Sequence, residues 1–258
     1  MSKQTKPLIL VTNDDGVSAP GIRFLVELMK QLGDVIVVAP AGPQSGMGHA
    51  ITISKPLRLD KVDLYPGIEA YQSSGTPVDC VKMAVDVVLH RKPDLLVSGI
   101  NHGSNSSINV IYSGTMSAAV EGAIEGIPSV GFSLCDYSYA ANFAPLEKFI
   151  LSICNNVLKN GLPKGSLLNV NFPKVDNESE IKGIKICRQC KGKWQENFDE
   201  RADPGGRKYY WLTGRFLNED HGEDTDEWAL ANNYVSVVPT QFDLTAYHAI
   251  PYLNDWDL

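Results

Sequence analysis

Four short segments of this chain carry the side chains that could do chemistry. The first is Asn13-Asp14-Asp15-Gly16, directly after the apolar run Leu8–Thr12. Two adjacent carboxylates repel each other, and a buried strand end offers little reason to place them together unless a cation neutralises them. Hard divalent ions favour such oxygen ligands. A solvated turn uses the same Asn, Asp and Gly residues, but the carboxylate pair after a buried strand favours a metal site.

The second segment, Gly42 to His49, supplies glycines for close backbone approach to an anion and Ser45 as a hydroxyl ligand or hydrogen-bonding group. Its spacing does not match a dinucleotide fingerprint. His49 is more readily a hydrogen-bonded structural residue than a general acid. The third segment, Ser98 to Asn105, offers the Asn101 carbonyl to a metal and the Asn105 amide to a phosphate. The fourth, Tyr112-Ser113-Gly114-Thr115, opens a helical pattern. Ser and Thr there can simply cap the helix. Together with free amides, Ser113, Gly114 and Thr115 also form a ready anion site. Cys187-x-x-Cys190 lacks the second ligand pair of a zinc site, Glu219–Glu227 reads as a solvated acidic loop, and the four tryptophans read as packing or oligomer contacts.

These loops need elements to hold them. Apolar runs at Leu8–Thr12, Val35–Ala39, Leu95–Ser98, Ser129–Leu134 and Leu167–Val170 read as buried strands. Helical periodicity covers Gly21–Leu32, Pro77–His90, Thr115–Glu125 and about Pro145–Lys159. Uninterrupted apolar strands alternating with helices predict a Rossmann-like, doubly wound α/β fold with a mostly parallel sheet. In such sheets ligands bind at the carboxyl ends of the strands. Ile51–Tyr71 breaks the rhythm and reads as antiparallel strands. Beyond about Phe172 strands are expected at Gly183–Arg188, Lys208–Arg215 and Tyr234–Val238, as a β-rich C-terminal extension for sheet support or oligomerisation.

At 258 residues, 43% hydrophobic and 21% charged, the chain suits one large globular unit with a sizeable core. A net charge of −7 argues against a broad nucleic-acid surface. No apolar run approaches a membrane span, and the start, Met1 to Pro7, is polar with no signal core. Five scattered cysteines fit reduced thiols and a cytoplasmic location.

Taken together, LILVTNDDG at Leu8–Gly16, Ser45-Gly46 before His49-Ala-Ile-Thr52, Gly75-Thr76-Pro77-Val78-Asp79-Cys80, Gly99-Ile100-Asn101 and Tyr112-Ser113-Gly114-Thr115 resemble the SurE family of stationary-phase survival proteins. The likeness continues through Asn169-Val170-Asn171-Phe172-Pro173 and Asp243-Leu244-Thr245, so it spans nearly the whole chain. It implies one unit with a core over about 1–172 and an extension over about 173–258, exchanged between subunits of a homodimer or homotetramer. It further implies a phosphomonoesterase that uses one divalent cation per subunit, Mg²⁺ or Mn²⁺, on nucleoside 5′- and 3′-monophosphates, with short polyphosphate as a further substrate. The family's metal ligands fall on Asp14, Asp15, Ser45 and Asn101, and its phosphate contacts on Asn105, Ser113, Gly114 and Thr115. One departure stands out: many relatives carry Leu-Gly and an Asp where this chain has Ser106-Ser107 and Asn109, which bears on nucleotide preference. Asp14 and Asp15 are the expected catalytic pair, their division into base and nucleophile left open. Adjacent aspartates disfavour an aspartyl-phosphate route of the Asp-x-Asp type. A non-catalytic nucleotide- or phosphate-sensing module is the alternative.

Overall fold

The computed structural model describes residues 6–257, so the first five residues of the polar start lie outside it. Six strands pair in parallel: β1 (Leu8–Thr12), β2 (Asp34–Pro40), β4 (Glu69–Ser73), β5 (Leu95–His102), β6 (Ser129–Leu134) and β7 (Ser166–Phe172). A short β3 (Leu59–Lys61) runs antiparallel to β4 at one edge. At the other edge β11 (Val235–Gln241) runs antiparallel to β7 and carries β8 (Ile184–Ile186). The order is β3-β4-β2-β1-β5-β6-β7-β11-β8. The doubly wound, Rossmann-like reading therefore holds.

Strand periodicity divides the core. Ile9 and Val11 of β1 face a cluster containing Ile22 and Leu25 of α1 (Pro20–Met29) and Phe149 and Ile150 of α4 (Glu147–Asn160). Leu10 faces the opposite cluster, with Cys80 and Val81 of α2 (Pro77–Met83) and Ala118 of α3 (Gly114–Ile124). Successive side chains of a strand point to opposite faces, so an apolar run with no polar interruption demands helices on both. β1 and β5 are parallel, but the winding of the sheet reverses between them, from β2 and β4 on one side to β6 and β7 on the other. A crevice opens there at the strand ends.

Three local readings differ from the structure. Ile51–Tyr71 contains one antiparallel pairing, but β4 itself joins the parallel sheet, through β2. The helix over Pro77–His90 stays α-helical only to Met83 and then widens into a looser turn over Ala84–Val88. Lys193–Ala202, charged along its length and not read as a strand, is β9; it pairs with β10 (Lys208–Leu217) and with no other strand. Cross-strand pairing along ten residues overrides the weak strand signal of its Lys, Gln, Glu and Asp. A short α5 (Asp226–Ala231) precedes β11, and α6 (Ile250–Asn254) closes the described chain. All five cysteines are free, and among the described residues no helix is long and apolar enough to cross a membrane.

Candidate active site

Local chemistry fixes each loop before the loops meet. The Asn13 side chain accepts from the Gly16 amide (3.2 Å) and donates to the Gly16 carbonyl (2.9 Å), closing the turn that bears the two aspartates. Gly16 itself sits at φ +101°, open to glycine at little cost. The Asp14 carbonyl accepts from the Gln44 amide at 2.8 Å, which ties the Ser45 loop to this turn. β5 runs past the predicted Ser98 to His102, and its register against β6 shifts between Ser98 and Asn101. That irregularity sets Asn101 at the sheet end. Ser113 caps α3, its hydroxyl accepting from the Met116 amide at 3.0 Å.

One cleft of about 210 Å³ collects residues from all four segments: Asp14, Asp15, Ser45, Asn101, Asn105 and Ser113 line it. Gly114 lies behind Asp14, where a Cβ would come within 2.7 Å of the aspartate Cβ. Only glycine lets α3 start so close to the carboxylate. Thr115 is fully buried and its hydroxyl donates to Asp14 Oδ1, so this residue holds the aspartate while its amide belongs to the helix start. Asn105 donates through Nδ2 to Ser133 (2.8 Å), and its backbone is gripped by Asn171 and Asn169. Asn101 donates from Nδ2 to the Gly103 carbonyl at 2.9 Å, leaving Oδ1 free as an acceptor.

Burial pushes the Asp14 carboxyl up to about 6, against the hydrogen bond from Thr115 and with the charge of Asp15 adding to the rise. Burial also raises Asp15, opposed by His102. Asp15 Oδ2 is buried without a hydrogen-bond partner. An unpartnered carboxylate oxygen beside a second buried carboxylate and a free amide oxygen is a donor set that suits a hard cation. Among the described residues no three His, Cys, Asp or Glu side chains gather as a metal cluster, so a cation here would draw on two carboxylates and otherwise neutral oxygens.

The family model for survival protein SurE matches residues 9–196. The chain belongs to the SurE family. Its SurE relatives include a 5′-nucleotidase SurE from Christiangramia forsetii, 67% identical over 98% of both chains, and one from Flavobacterium psychrophilum, 63% identical over 98% of this chain and 99% of the relative. The crystal structure of the SurE protein from Aquifex aeolicus superposes with a TM-score of 0.83 at 42% identity, covering 96% of this chain and all of that one.

Other residues at the SurE-family cleft drew no role from the sequence. His102 lines it with a buried, unpartnered Nε2, and Tyr112 and Tyr137 line it as well. His102 stood inside a segment already singled out, whereas Tyr137 lies in a separate loop and carried no local signal. His49 does not line the cleft; its Nε2 meets Glu121 Oε2 of α3 at 2.9 Å, in keeping with the structural reading. The thiols of Cys187 and Cys190 are buried in the packing of the extension.

Proposed function

We propose that this SurE-family chain is a divalent-metal-dependent phosphomonoesterase that hydrolyses nucleoside 5′-monophosphates to nucleoside and phosphate. The observation that carries the reading is the pairing, across one cleft, of two repelling carboxylates with the amide-rich start of α3. The names of its 5′-nucleotidase relatives support the substrate class. Asp14, Asp15, Asn101 and Ser45 would hold the ion, Mg²⁺ or Mn²⁺. Such an ion supplies Lewis-acid polarisation of the phosphoryl group and a more acidic water.

The chain's own residues do the rest. Thr115 fixes the rotamer of Asp14 through its hydroxyl, so the carboxylate is held before substrate arrives. While the Thr115 amide, like its hydroxyl, serves the Asp14 carboxylate, the amides at Ser113 and Gly114 would meet a phosphate with the positive end of the helix. They stabilise charge on the equatorial oxygens, where preorganised donors act most strongly. Uncatalysed hydrolysis of phosphate monoesters is among the slowest known reactions, so neutralisation at both sides of the phosphorus is required. Asn105, anchored through its backbone, keeps one amide hydrogen for the substrate.

The proposal extends to 3′-monophosphates and short polyphosphate as further substrates, since the cleft grips the phosphoryl group. It includes a homodimer or homotetramer, and a cytoplasmic setting in keeping with five free thiols. The test is phosphate release from a panel of 5′- and 3′-nucleotides and tripolyphosphate with Mg²⁺ or Mn²⁺. Release should stop on chelation and return with the metal. Nucleotide binding without release from any substrate would instead establish a sensing module.

A further inference from the structure

Beside the phosphate cleft lies a second cavity of about 370 Å³, bounded by Ser106, Asn109, Tyr137, Trp194, Phe216 and Glu227. The two spaces share Ser104, Asn109 and Tyr137 as common lining. A ligand whose phosphate sits on the start of α3 therefore has this cavity next to it. We infer that the cavity seats the nucleobase of the substrate, with Glu227 and Asn109 reading the base edge. This inference rests on the nucleotidase reading above.

Ser106, Ser107 and Asn109 build the wall between this cavity and the extension. Ser106 donates to Glu227 Oε1. The Ser107 amide donates to Asp226 Oδ2 at 2.8 Å, and the Ser107 hydroxyl donates to the Cys190 carbonyl at 2.9 Å. Asn109 Oδ1 accepts from Trp194 Nε1 at 2.7 Å. These three residues thus bind the loop to the extension and orient two polar groups.

What remains unengaged has a definite pattern. Glu227 Oε2 has no hydrogen-bond or ion-pair partner among the described residues, and neither does Asn109 Nδ2. Burial, with Asp226 alongside, raises the Glu227 carboxyl above its ordinary range despite the bond from Ser106, a cost that N–H donors from a ligand relieve. An acceptor and a donor on the wall of one cavity, with Tyr137, Trp194 and Phe216 around them, match a flat heteroaromatic ring. Guanine fits best: its N1–H and N2–H₂ supply adjacent donors for the carboxylate, and its O6 accepts from the amide. Contact between a base and aromatic side chains holds any such ring by its face.

The test compares kcat/KM for GMP, AMP, UMP and the base-free ribose 5-phosphate, using the metal-loaded full chain. GMP should exceed ribose 5-phosphate at least about tenfold. The GMP-to-ribose-5-phosphate ratio should fall about tenfold in Glu227→Gln. Tyr137→Ser, at a residue 76% exposed and safe for folding, should lower the same ratio. Equal kcat/KM for GMP and ribose 5-phosphate, or a ratio unmoved in Tyr137→Ser and in folded Glu227→Gln, overturns the nucleobase seat alone. No release from any substrate, ribose 5-phosphate included, overturns the phosphatase reading and this inference with it.

Discussion

At the scale of single residues, the site is defined by what its carboxylates lack. Asp14 is buried, its carboxylate held by Thr115 and repelled by the charge of Asp15, and Asp15 leaves one buried oxygen without a hydrogen-bond partner. An ionised acid whose carboxyl is pushed up to about 6 costs stability at neutral pH. Asp14→Asn removes that charge but keeps a partner for Thr115. In metal-free protein we expect a gain of about 1–3 kcal/mol, read as a higher thermal midpoint. The same substitution should cut phosphate release at least about 100-fold. A lower midpoint in metal-free Asp14→Asn would show that the chain already satisfies this carboxylate.

Among the elements, α3 does two jobs. Its capped start lines the cleft through Ser113. Further along, Glu121, with a side chain only 3% exposed, receives Lys82 from α2 and His49 from the Ser45 loop. That loop has no regular structure and is held by a few bonds, among them Gly48 N to the Tyr112 carbonyl at 3.2 Å and Thr52 N to Asp79 at 3.0 Å. Burial alone would raise the Glu121 carboxyl, but the bonds and charges of His49 and Lys82 outweigh it and hold it below the ordinary 4.5. A depressed acid stabilises the fold above its unfolded value, and that contribution is lost as pH falls through the folded value. Glu121→Gln should therefore be less stable than wild type by about 1–3 kcal/mol at pH 7. Denaturant titrations should show the difference shrinking toward pH 4. A difference that does not change with pH would assign the role of Glu121 to packing.

The molecule as a whole leaves apolar surface that a lone chain does not cover. β9 and β10 form a separate two-stranded sheet carrying exposed Phe198, Trp211 and Leu212, and the tail exposes Leu244, Tyr252 and Trp256. An isolated two-stranded hairpin is marginal in water, and clustered exposed aromatics mark interaction surfaces. We expect light scattering to report a homo-oligomer. Replacing residues 197–213 by a short Gly-Ser turn should lower its mass while leaving the cleft residues in place. A monomeric wild-type chain at micromolar concentration would overturn this expectation.

The sequence by itself determined the layered core and the chemical character of the cleft. Apolar runs with no polar interruption leave a strand no choice but to be covered on both faces, and Asp14-Asp15 or Ser113-Gly114-Thr115 announce their chemistry within a few residues. Other features depended on partners distant in the chain. β9 is a strand because β10 lies beside it, and the role of Thr115 as a holder of Asp14 spans 101 positions. Ser106, Ser107 and Asn109 showed only as a departure in pattern until Asp226, Glu227, Cys190 and Trp194 were found against them. Local residue types fix what a group can donate or accept. Only the tertiary structure decides which groups are already satisfied, and in this protein the ones left over outline both the cleft and the cavity beside it.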